Sequence, residues 1–225
     1  MSVDTTSVDQ ALRELIKADD PSSWDNAWKA DITPWEAGDV QPPLRELIES
    51  GEVDFPQHGR ALVPGCGSGN DVLYIASSLN LETMGIDVAP TAIEKAQENV
   101  ASKHGAFGGN VKFDESDFFM LEVTSDAEKF DLIYDYTFFV AIPPSKRPEW
   151  GQQMSMLIKP GGYLVALVFP LNPPNHPPVG PPFFVRVEHY ADVLGSAFVK
   201  VLDKEPGTSL PRHRGKEKIV VWRRV

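Results

Sequence analysis

The residues best suited to chemistry in this chain are three closely spaced glycines and an aspartate that follows them. The glycines are Gly65, Gly67 and Gly69, and they come directly after an apolar run that ends at Val63. Asp87 ends the next apolar run. Glycine lets the backbone turn tightly and come close to a ligand, and a carboxylate at the end of a second strand can accept both hydroxyls of a ribose. Together they predict a site for an adenosine-type cofactor.

The spacing of the glycines indicates which cofactor fits. A dinucleotide fingerprint has the order G-x-G-x-x-G, but here the third position is Asn70 and the glycine falls at Gly69. No lysine followed by serine or threonine completes a phosphate-binding P-loop. The spacing Gly-x-Gly-x-Gly is typical of sites for S-adenosylmethionine, which has no phosphate. The alternatives are a tight strand-to-helix turn without a ligand and an NAD-linked oxidoreductase, which Asn70 disfavours.

Three tryptophans precede the glycines. Trp24, Trp28 and Trp35 lie within twelve positions, and the first two are four apart, so they share one face of a helix. Aromatic faces attract a sulfonium cation, and indole N–H groups can hold a carboxylate. The cluster therefore predicts an aromatic lid over the cofactor. Its alternative is a hydrophobic contact that docks the N-terminal segment on the core, and the two interpretations are compatible.

Two further pairs of residues follow predicted strands. Asp117 and Phe118 come after the third strand, and they suit an adenine pocket that offers a carboxylate, a backbone N–H and a ring; an aspartate that caps a surface turn is the alternative. Asp135 and Tyr136 end the fourth strand. Because open α/β sheets bind ligands at the carboxyl ends of their strands, both are predicted to contact cofactor or substrate.

These residues require a scaffold of alternating strands and helices. The predicted strands are one that ends at Val63, then 82–86, 111–115, 130–136, 163–169, 198–204 and 217–223; the predicted helices are 7–17, 44–50, 70–79, 89–103, 147–158 and 187–197. Alternation of this kind predicts an α/β fold with a doubly wound, mostly parallel sheet and an antiparallel last strand. We expect one domain over residues 1–225, with 1–50 as a helical lid. The proline-rich segment 170–182 is expected to form a wall of the substrate site.

Composition excludes several classes of function. The 225 residues carry a net charge of −11, which argues against nucleic acid as a partner. Cys66 is the single cysteine, so neither a disulfide framework nor a cysteine-based metal site is expected. No secretory signal precedes the domain, and no apolar run approaches the roughly 20 residues of a membrane helix. We expect a cytoplasmic monomer without a metal.

The chain resembles the thiopurine S-methyltransferase superfamily, and within it the thiol and halide methyltransferases of plants. The matching pieces run from Trp24 almost to the end of the chain. They are Trp24-x3-Trp28, Thr33-Pro-Trp-Glu36, Arg60-Ala-Leu-Val-Pro-Gly-Cys-Gly-Ser-Gly-Asn-Asp71, Gly85-Ile-Asp87, Phe130-Asp-Leu-Ile-Tyr-Asp-Tyr-Thr-Phe-Phe139, Arg147-Pro-x-Trp150, Gly180-Pro-Pro-Phe183 and Arg214-Gly-Lys-Glu-Lys218. The glycine loop is common to many methyltransferases, whereas the tryptophans with Gly180-Pro-Pro-Phe183 are far more specific.

The resemblance implies a class I, Rossmann-like methyltransferase that uses S-adenosylmethionine. It implies that the tryptophans enclose the methionine end, that Gly65 and Gly67 line the loop, that Asp87 holds the ribose and that Asp117 with Phe118 holds adenine. Tyr136 would lie beside the methyl group, and Arg147 would face the acceptor. The acceptor would be a small soft nucleophile such as a thiol, hydrosulfide or halide. A module that binds S-adenosylmethionine without catalysis is the alternative.

Overall fold

The computed structural model describes residues 5–102, 110–171 and 180–225. Its helices are α1 (Thr5–Leu15), α2 (Trp24–Lys29), α3 (Pro42–Ser50), α4 (Asn70–Leu79), α5 (Pro90–Ser102), α6 (Phe138–Ala141), α7 (Arg147–Leu157) and α8 (Val187–Leu194). Its strands are β1 (Arg60–Pro64), β2 (Glu82–Asp87), β3 (Val111–Glu115), β4 (Phe130–Tyr136), β5 (Ile158–Val168), β6 (Phe198–Lys204) and β7 (Lys218–Arg224). Most of the proline-rich segment and the glycines of the loop after α5 lie outside the described residues.

The strands form one seven-stranded sheet in the order β3-β2-β1-β4-β5-β7-β6. The pairs among β1 to β5 are parallel, whereas β7 runs antiparallel to both β5 and β6. The predicted α/β fold with a mostly parallel sheet and an antiparallel last strand is therefore confirmed. The chain crosses over between β3 and β4, so the carboxyl ends of β1 and β4 meet at the point where the strand order reverses. Ligands of open α/β sheets bind at such a point.

Apolar side chains cover both faces of the sheet, which explains the continuous apolar runs of its central strands. In β5, Val165 and Leu167 pack with the residues of α3 and α4, whereas Leu164, Ala166 and Val168 pack with α7 and α8. Successive side chains of a strand point to opposite faces, so each central strand contributes to both cores. The two cores fix the strand ends that carry the site.

The N-terminal segment packs beside the carboxyl edge of the sheet. Asp25 of α2 accepts a hydrogen bond from the backbone N–H of Thr91 in α5 (3.0 Å) and pairs with Lys29 (2.6 Å). Because α5 follows β2 directly, this contact holds the tryptophans near the glycine loop. In the described part of the chain, no helix is long and apolar enough to cross a membrane, and no three His, Cys, Asp or Glu side chains cluster as around a metal ion.

The start of the fifth strand was predicted incorrectly. It was expected at residue 163, but β5 begins at Ile158 and includes residues 159–162. The register of β5 against β4 shifts between Phe130 and Leu132, which takes up the extra residues as a strand irregularity. A proline and two glycines indicate a turn from sequence, yet a bulge accommodates the same residues.

Candidate active site

The glycine loop connects β1 to α4 in a conformation that requires glycine. Gly65, Gly67 and Gly69 have φ values of 60°, 54° and 75°, a region that other residues rarely adopt. Space adds a second requirement at Gly67, because a Cβ placed there would lie 2.3 Å from Oε1 of Glu36 and 3.3 Å from the Trp28 ring. The loop is therefore in close contact with the N-terminal segment.

The backbone N–H groups of this loop are already bonded to protein oxygens. The N–H of Cys66 donates to the Ile86 carbonyl (2.9 Å), and that of Gly69 donates to the Cys66 carbonyl (3.0 Å). Between them, the N–H of Gly67 donates to Oδ2 of Asp87 (3.1 Å) and the N–H of Ser68 donates to Oε1 of Glu36 (3.4 Å). A phosphate-binding loop needs free N–H groups. This loop instead carries two carboxylates, which fits a phosphate-free cofactor.

Three carboxyl groups around the loop oppose one another's ionisation. Burial, with a smaller contribution from the charge of Glu36, raises the pKa of Asp87 to about 6. Burial likewise raises the pKa of Asp71, the second residue of α4, to about 7, although it accepts the N–H of Gln41 (2.8 Å). Burial also raises the pKa of Glu36. The site therefore has an excess of negative charge, which a cationic ligand would offset.

The three tryptophans form one aromatic cluster beside the loop. The Trp35 ring centroid lies 5.5 Å from that of Trp24 and 6.0 Å from that of Trp28, both in edge-to-face arrangements. Trp28 is buried, whereas Trp24 and Trp35 are half-buried and pack on Leu12 and the neighbouring apolar residues of the N-terminal segment. The docking interpretation therefore describes their packing, and enclosure of a cofactor stays a prediction.

Tyr136 lies at the end of β4, next to the tryptophans. Its hydroxyl donates to the Trp35 carbonyl (3.3 Å), and burial raises its pKa well above the ordinary value for tyrosine. A phenol in this state donates hydrogen bonds and does not act as a base near neutral pH. Its neighbour Asp135, which was predicted to contact a ligand, is instead fully buried, and its Oδ1 accepts the N–H of Phe139 (3.2 Å) at α6.

Asp117 and Phe118 follow β3, where the sequence placed them, but their side chains have structural partners. Oδ1 of Asp117 accepts the N–H of Phe119 (2.9 Å) and caps a short 3-10 turn. The Phe118 ring is 1% exposed and packs edge-to-face on Phe119 and Phe138. This ring has no exposed face on which adenine could stack, because it is packed in the core. The contact between the backbone N–H of Phe118 and adenine stays a prediction.

Arg147 begins α7 and is buried. Its Nη2 donates to the Phe184 carbonyl (2.9 Å), its Nη1 lies 3.2 Å from Nδ1 of His189, and its guanidinium stacks 4.6 Å from the Phe139 ring centroid. It is not among the described residues that line the cleft above the glycine loop. These contacts give Arg147 a structural role, and its predicted role toward the acceptor stays a prediction.

The cleft itself lies between the N-terminal segment and the carboxyl ends of β1 and β4. It is narrow and partly open to solvent, and its lining consists of Trp35, Glu36, Ala37, Asp39, Gln41, Val63, Gly65, Cys66, Ser68, Asn70, Asp71, Tyr134, Tyr136 and Thr137. Two lining residues have buried polar atoms without a partner in the described part of the chain, namely Oε1 of Gln41 and the hydroxyl of Tyr134. Such unpaired atoms are unfavourable unless a ligand or water meets them.

Sequence reasoning missed several polar residues of this site. Glu36 stood in a quoted motif without a role, and no role was assigned to Ser68.

A second group of missed residues lies near Tyr136. The buried His213 has its Nδ1 3.1 Å from Oε2 of Glu217, while its Nε2 accepts a hydrogen bond from Arg212 (3.2 Å). Because Nε2 is an acceptor, the proton lies on Nδ1 and is donated to Glu217. Glu217 stood in the quoted motif Arg214-Gly-Lys-Glu-Lys218 without a role, and only the folded contacts join it to His213 and Arg212.

Comparisons with known proteins decide which family this site belongs to. The family model for thiopurine S-methyltransferase (TPMT) matches residues 19–224. A probable thiol methyltransferase 2 of Arabidopsis thaliana is 38% identical over 216 residues, which span 95% of this chain and 89% of that protein. The thiocyanate methyltransferase 1 of Brassica oleracea is 35% identical over 218 residues, 96% of this chain and 91% of that protein. The chain belongs to the thiopurine S-methyltransferase family.

Solved structures agree on the fold. The 1,6-didemethyltoxoflavin-N1-methyltransferase of Burkholderia thailandensis, solved with S-adenosylhomocysteine, aligns with a TM-score of 0.68 at 15% identity and covers 100% of this chain and 92% of that chain. The predicted Rossmann-like methyltransferase fold is therefore confirmed.

Membership of this family makes the chain an S-adenosylmethionine-dependent methyltransferase. The resemblance drawn from its motifs is confirmed. Neither the non-catalytic module nor the NAD-linked oxidoreductase gains support from the comparisons. The loop agrees with this result, because its carboxylates would repel the pyrophosphate of a dinucleotide.

Proposed function

We propose that this methyltransferase transfers the methyl group of S-adenosylmethionine to a small thiol or hydrosulfide, with a halide as a further acceptor. The observation that carries the proposal is the pair of carboxylates on adjacent N–H groups of the glycine loop, Asp87 on Gly67 and Glu36 on Ser68. They suit a cationic, phosphate-free cofactor. The acceptor class comes from the relatives, which are named for thiol and thiocyanate methylation.

Each predicted cofactor residue has a place in this proposal. Asp87 would accept the ribose hydroxyls, and Asp117 with the backbone of Phe118 would meet adenine. Gly65 and Gly67 let the loop approach the ligand, while Trp24, Trp28 and Trp35 present indole faces and N–H groups toward the methionine end. When bound, the cofactor supplies an activated methyl group on a sulfonium.

The protein's own contribution to the reaction is alignment and exclusion of water. A soft sulfur nucleophile needs to be held in line with the methyl carbon and stripped of solvent, and both effects accelerate the reaction. Tyr136, a buried phenol at the cleft, would turn its single O–H from the Trp35 carbonyl to the nucleophile rather than remove the nucleophile's proton. Arg147 would act indirectly, by supporting Phe139 and the chain at Phe184, rather than by touching the acceptor.

The remaining expectations concern the protein as a whole. We propose one domain over residues 1–225 whose first 50 residues act as a lid, because Trp28 and Glu36 of that segment approach Gly67 of the glycine loop. We further propose that the protein works as a monomer in the cytoplasm, without nucleic acid, a membrane or a metal as a partner.

Incubation of the purified protein with S-adenosylmethionine and a panel of acceptors tests the function. The panel contains simple thiols, sulfide, thiocyanate and iodide, and both the methylated product and S-adenosylhomocysteine are quantified. We expect turnover with thiols or sulfide above the rate without acceptor. Absence of turnover with every member of the panel would refute the proposal.

A further inference from the structure

Glu36 contacts the glycine loop directly, and no role has been assigned to it. Its two carboxylate oxygens accept hydrogen bonds from the N–H and the hydroxyl of Ser68. Oε1 also lies 2.3 Å from where a Cβ of Gly67 would stand, so the absence of a side chain at Gly67 is what lets the carboxylate reach the loop. Glu36 therefore lies on the loop itself, on the side of the cleft.

The surroundings of this carboxylate do not neutralise it. Asp71 and Asp87 lie near enough for the charge of Glu36 to raise the pKa of both. Lys95 is the cation that lowers the Glu36 pKa, but its Nζ lies 3.4 Å from Oδ1 of Asp31 and 5.3 Å from the Trp28 ring centroid. A half-buried carboxylate among other carboxylates is unfavourable by itself. The arrangement indicates a cationic ligand.

The ligand in question has two cationic groups with different requirements. The sulfonium has no N–H to donate and is attracted to aromatic faces, which the tryptophan cluster offers. The ammonium has three N–H donors and requires acceptor oxygens at hydrogen-bonding distance. Oxygen acceptors at the cleft include the Glu36 carboxylate and the unpartnered, buried Oε1 of Gln41.

We propose that Glu36 binds the ammonium group of the methionine end of S-adenosylmethionine, an inference that rests on the proposed function. The Trp28 ring and the Glu36 carboxylate approach the same glycine, Gly67, from the N-terminal segment. That segment thus supplies an aromatic face and an anion at a single point of the loop. Ser68 holds the carboxylate in place, which makes Ser68 a positioning residue.

The same carboxylate gives the site its selectivity among adenosine ligands. A ligand with an ammonium near the loop gains a charge-assisted hydrogen bond, whereas a ligand with phosphate there meets Glu36 and Asp87 as like charges. The side chain that attracts the cofactor therefore also rejects nucleotides.

Calorimetric titration of the full chain with three ligands tests this role. S-adenosylmethionine carries both cations, S-adenosylhomocysteine carries the ammonium without the sulfonium, and 5′-methylthioadenosine lacks the amino-acid part altogether. The test variant is Glu36→Gln, which keeps the size of the side chain. Asp39→Asn is the matched control, because it removes one negative charge from the same cleft without a contact to the loop. A thermal melt of each variant accompanies the titrations.

We expect Glu36→Gln to weaken S-adenosylmethionine and S-adenosylhomocysteine equally, by about tenfold or more, and to leave 5′-methylthioadenosine unchanged. Asp39→Asn should change each affinity less than about threefold. Loss for S-adenosylmethionine alone would assign Glu36 to the sulfonium, and equal loss for all three ligands would make it a structural contact; either result overturns the inference. If the wild-type chain binds none of the three, the proposed function fails instead.

Discussion

The substitution Asp87→Asn separates the role of this carboxylate in binding from its role in the fold. Oδ2 of Asp87 accepts the N–H of Gly67 (3.1 Å), and Oδ1 accepts the N–H of Ala89 (3.0 Å). Asparagine has one acceptor oxygen, so one of these N–H groups loses its partner, at a cost of about 1–3 kcal/mol. The substitution also removes a buried charge, which acts in the opposite direction.

The raised pKa of Asp87 gives the size and sign of the stabilisation that comes from removing its buried charge. Burial raises the pKa of Asp87 from 3.8 to about 6, which corresponds to roughly 3 kcal/mol lost from the folding free energy once the group is ionised. The folded state holds its proton more tightly than the unfolded state. The destabilisation is therefore absent below about pH 4, grows between pH 4 and 6, and is fully present above pH 6. At pH 7.5 the two effects of Asp87→Asn roughly cancel, and we expect little change in Tm.

Cofactor binding has no such compensation. Ribose hydroxyls donate to an ionised carboxylate, and losing hydrogen bonds to a charged group costs about 1.5–3 kcal/mol, or roughly 10-fold to 100-fold in Kd. Binding requires the ionised form, so wild-type affinity should fall by up to about tenfold for each pH unit below 6. The variant should lack this component of the pH dependence.

Isothermal titration with S-adenosylhomocysteine at pH 7.5 and pH 5.5, with a thermal melt at each pH, measures all of these quantities. Asp114→Asn is the matched control, since Asp114 lies on the adjacent strand β3 and pairs with Lys112 at the surface. The ribose assignment fails if Asp87→Asn binds as tightly as wild type at pH 7.5, or if both proteins keep the same pH dependence.

Three other substitutions probe the remaining site residues. Trp28→Ala should raise the Kd for S-adenosylmethionine by calorimetry and also lower the Tm, because the ring is buried; an unchanged Kd would remove Trp28 from the site. Tyr136→Phe should lower kcat by about tenfold without moving the pH–rate profile, since its raised pKa rules out base chemistry; a lost pH limb would show that Tyr136 titrates. Arg147→Lys should lower the Tm, because lysine cannot make both contacts to Phe184 and His189, while KM for the thiol stays within about threefold; a large rise in KM at wild-type Tm would place Arg147 at the acceptor.

The central strands of the sheet could be predicted from sequence because they are buried on both faces. Such strands are short apolar runs with clear ends, and β4 begins and ends at the predicted residues. The edge strands β3 and β6 also match their predicted bounds, although most of their side chains are exposed or half-buried. The glycine loop was equally clear, since its positive φ values leave only glycine as a comfortable choice. These features depend on residues that are neighbours in the sequence.

The polar contacts of the site could not be predicted, because they join residues far apart in the sequence. Glu36 and Ser68 are 32 positions apart, and Asp71 meets Gln41 from 30 positions away. The Phe118 ring shows the converse error, since an aromatic residue after a strand suits both a ligand and a core, and here the core takes it. The contacts of Glu36 and Asp71 depend on how the N-terminal segment packs against the loop. The position of the Phe118 ring depends on the packing of the core.

The charge of the cleft bears on which acceptor suits this enzyme. Glu36 and Asp71 line the cleft, and an anionic acceptor such as iodide or thiocyanate would have to approach past them when they are ionised. The positive charge of Arg212 acts to lower the pKa of Tyr136. Nε of Arg212 donates a hydrogen bond to Nε2 of His213 (3.2 Å), which holds the guanidinium in place. A neutral thiol meets no such barrier on entry, and it would lose its proton to solvent beside the sulfonium, where a positive charge stabilises the thiolate. We therefore expect a thiol to be a better acceptor than a halide.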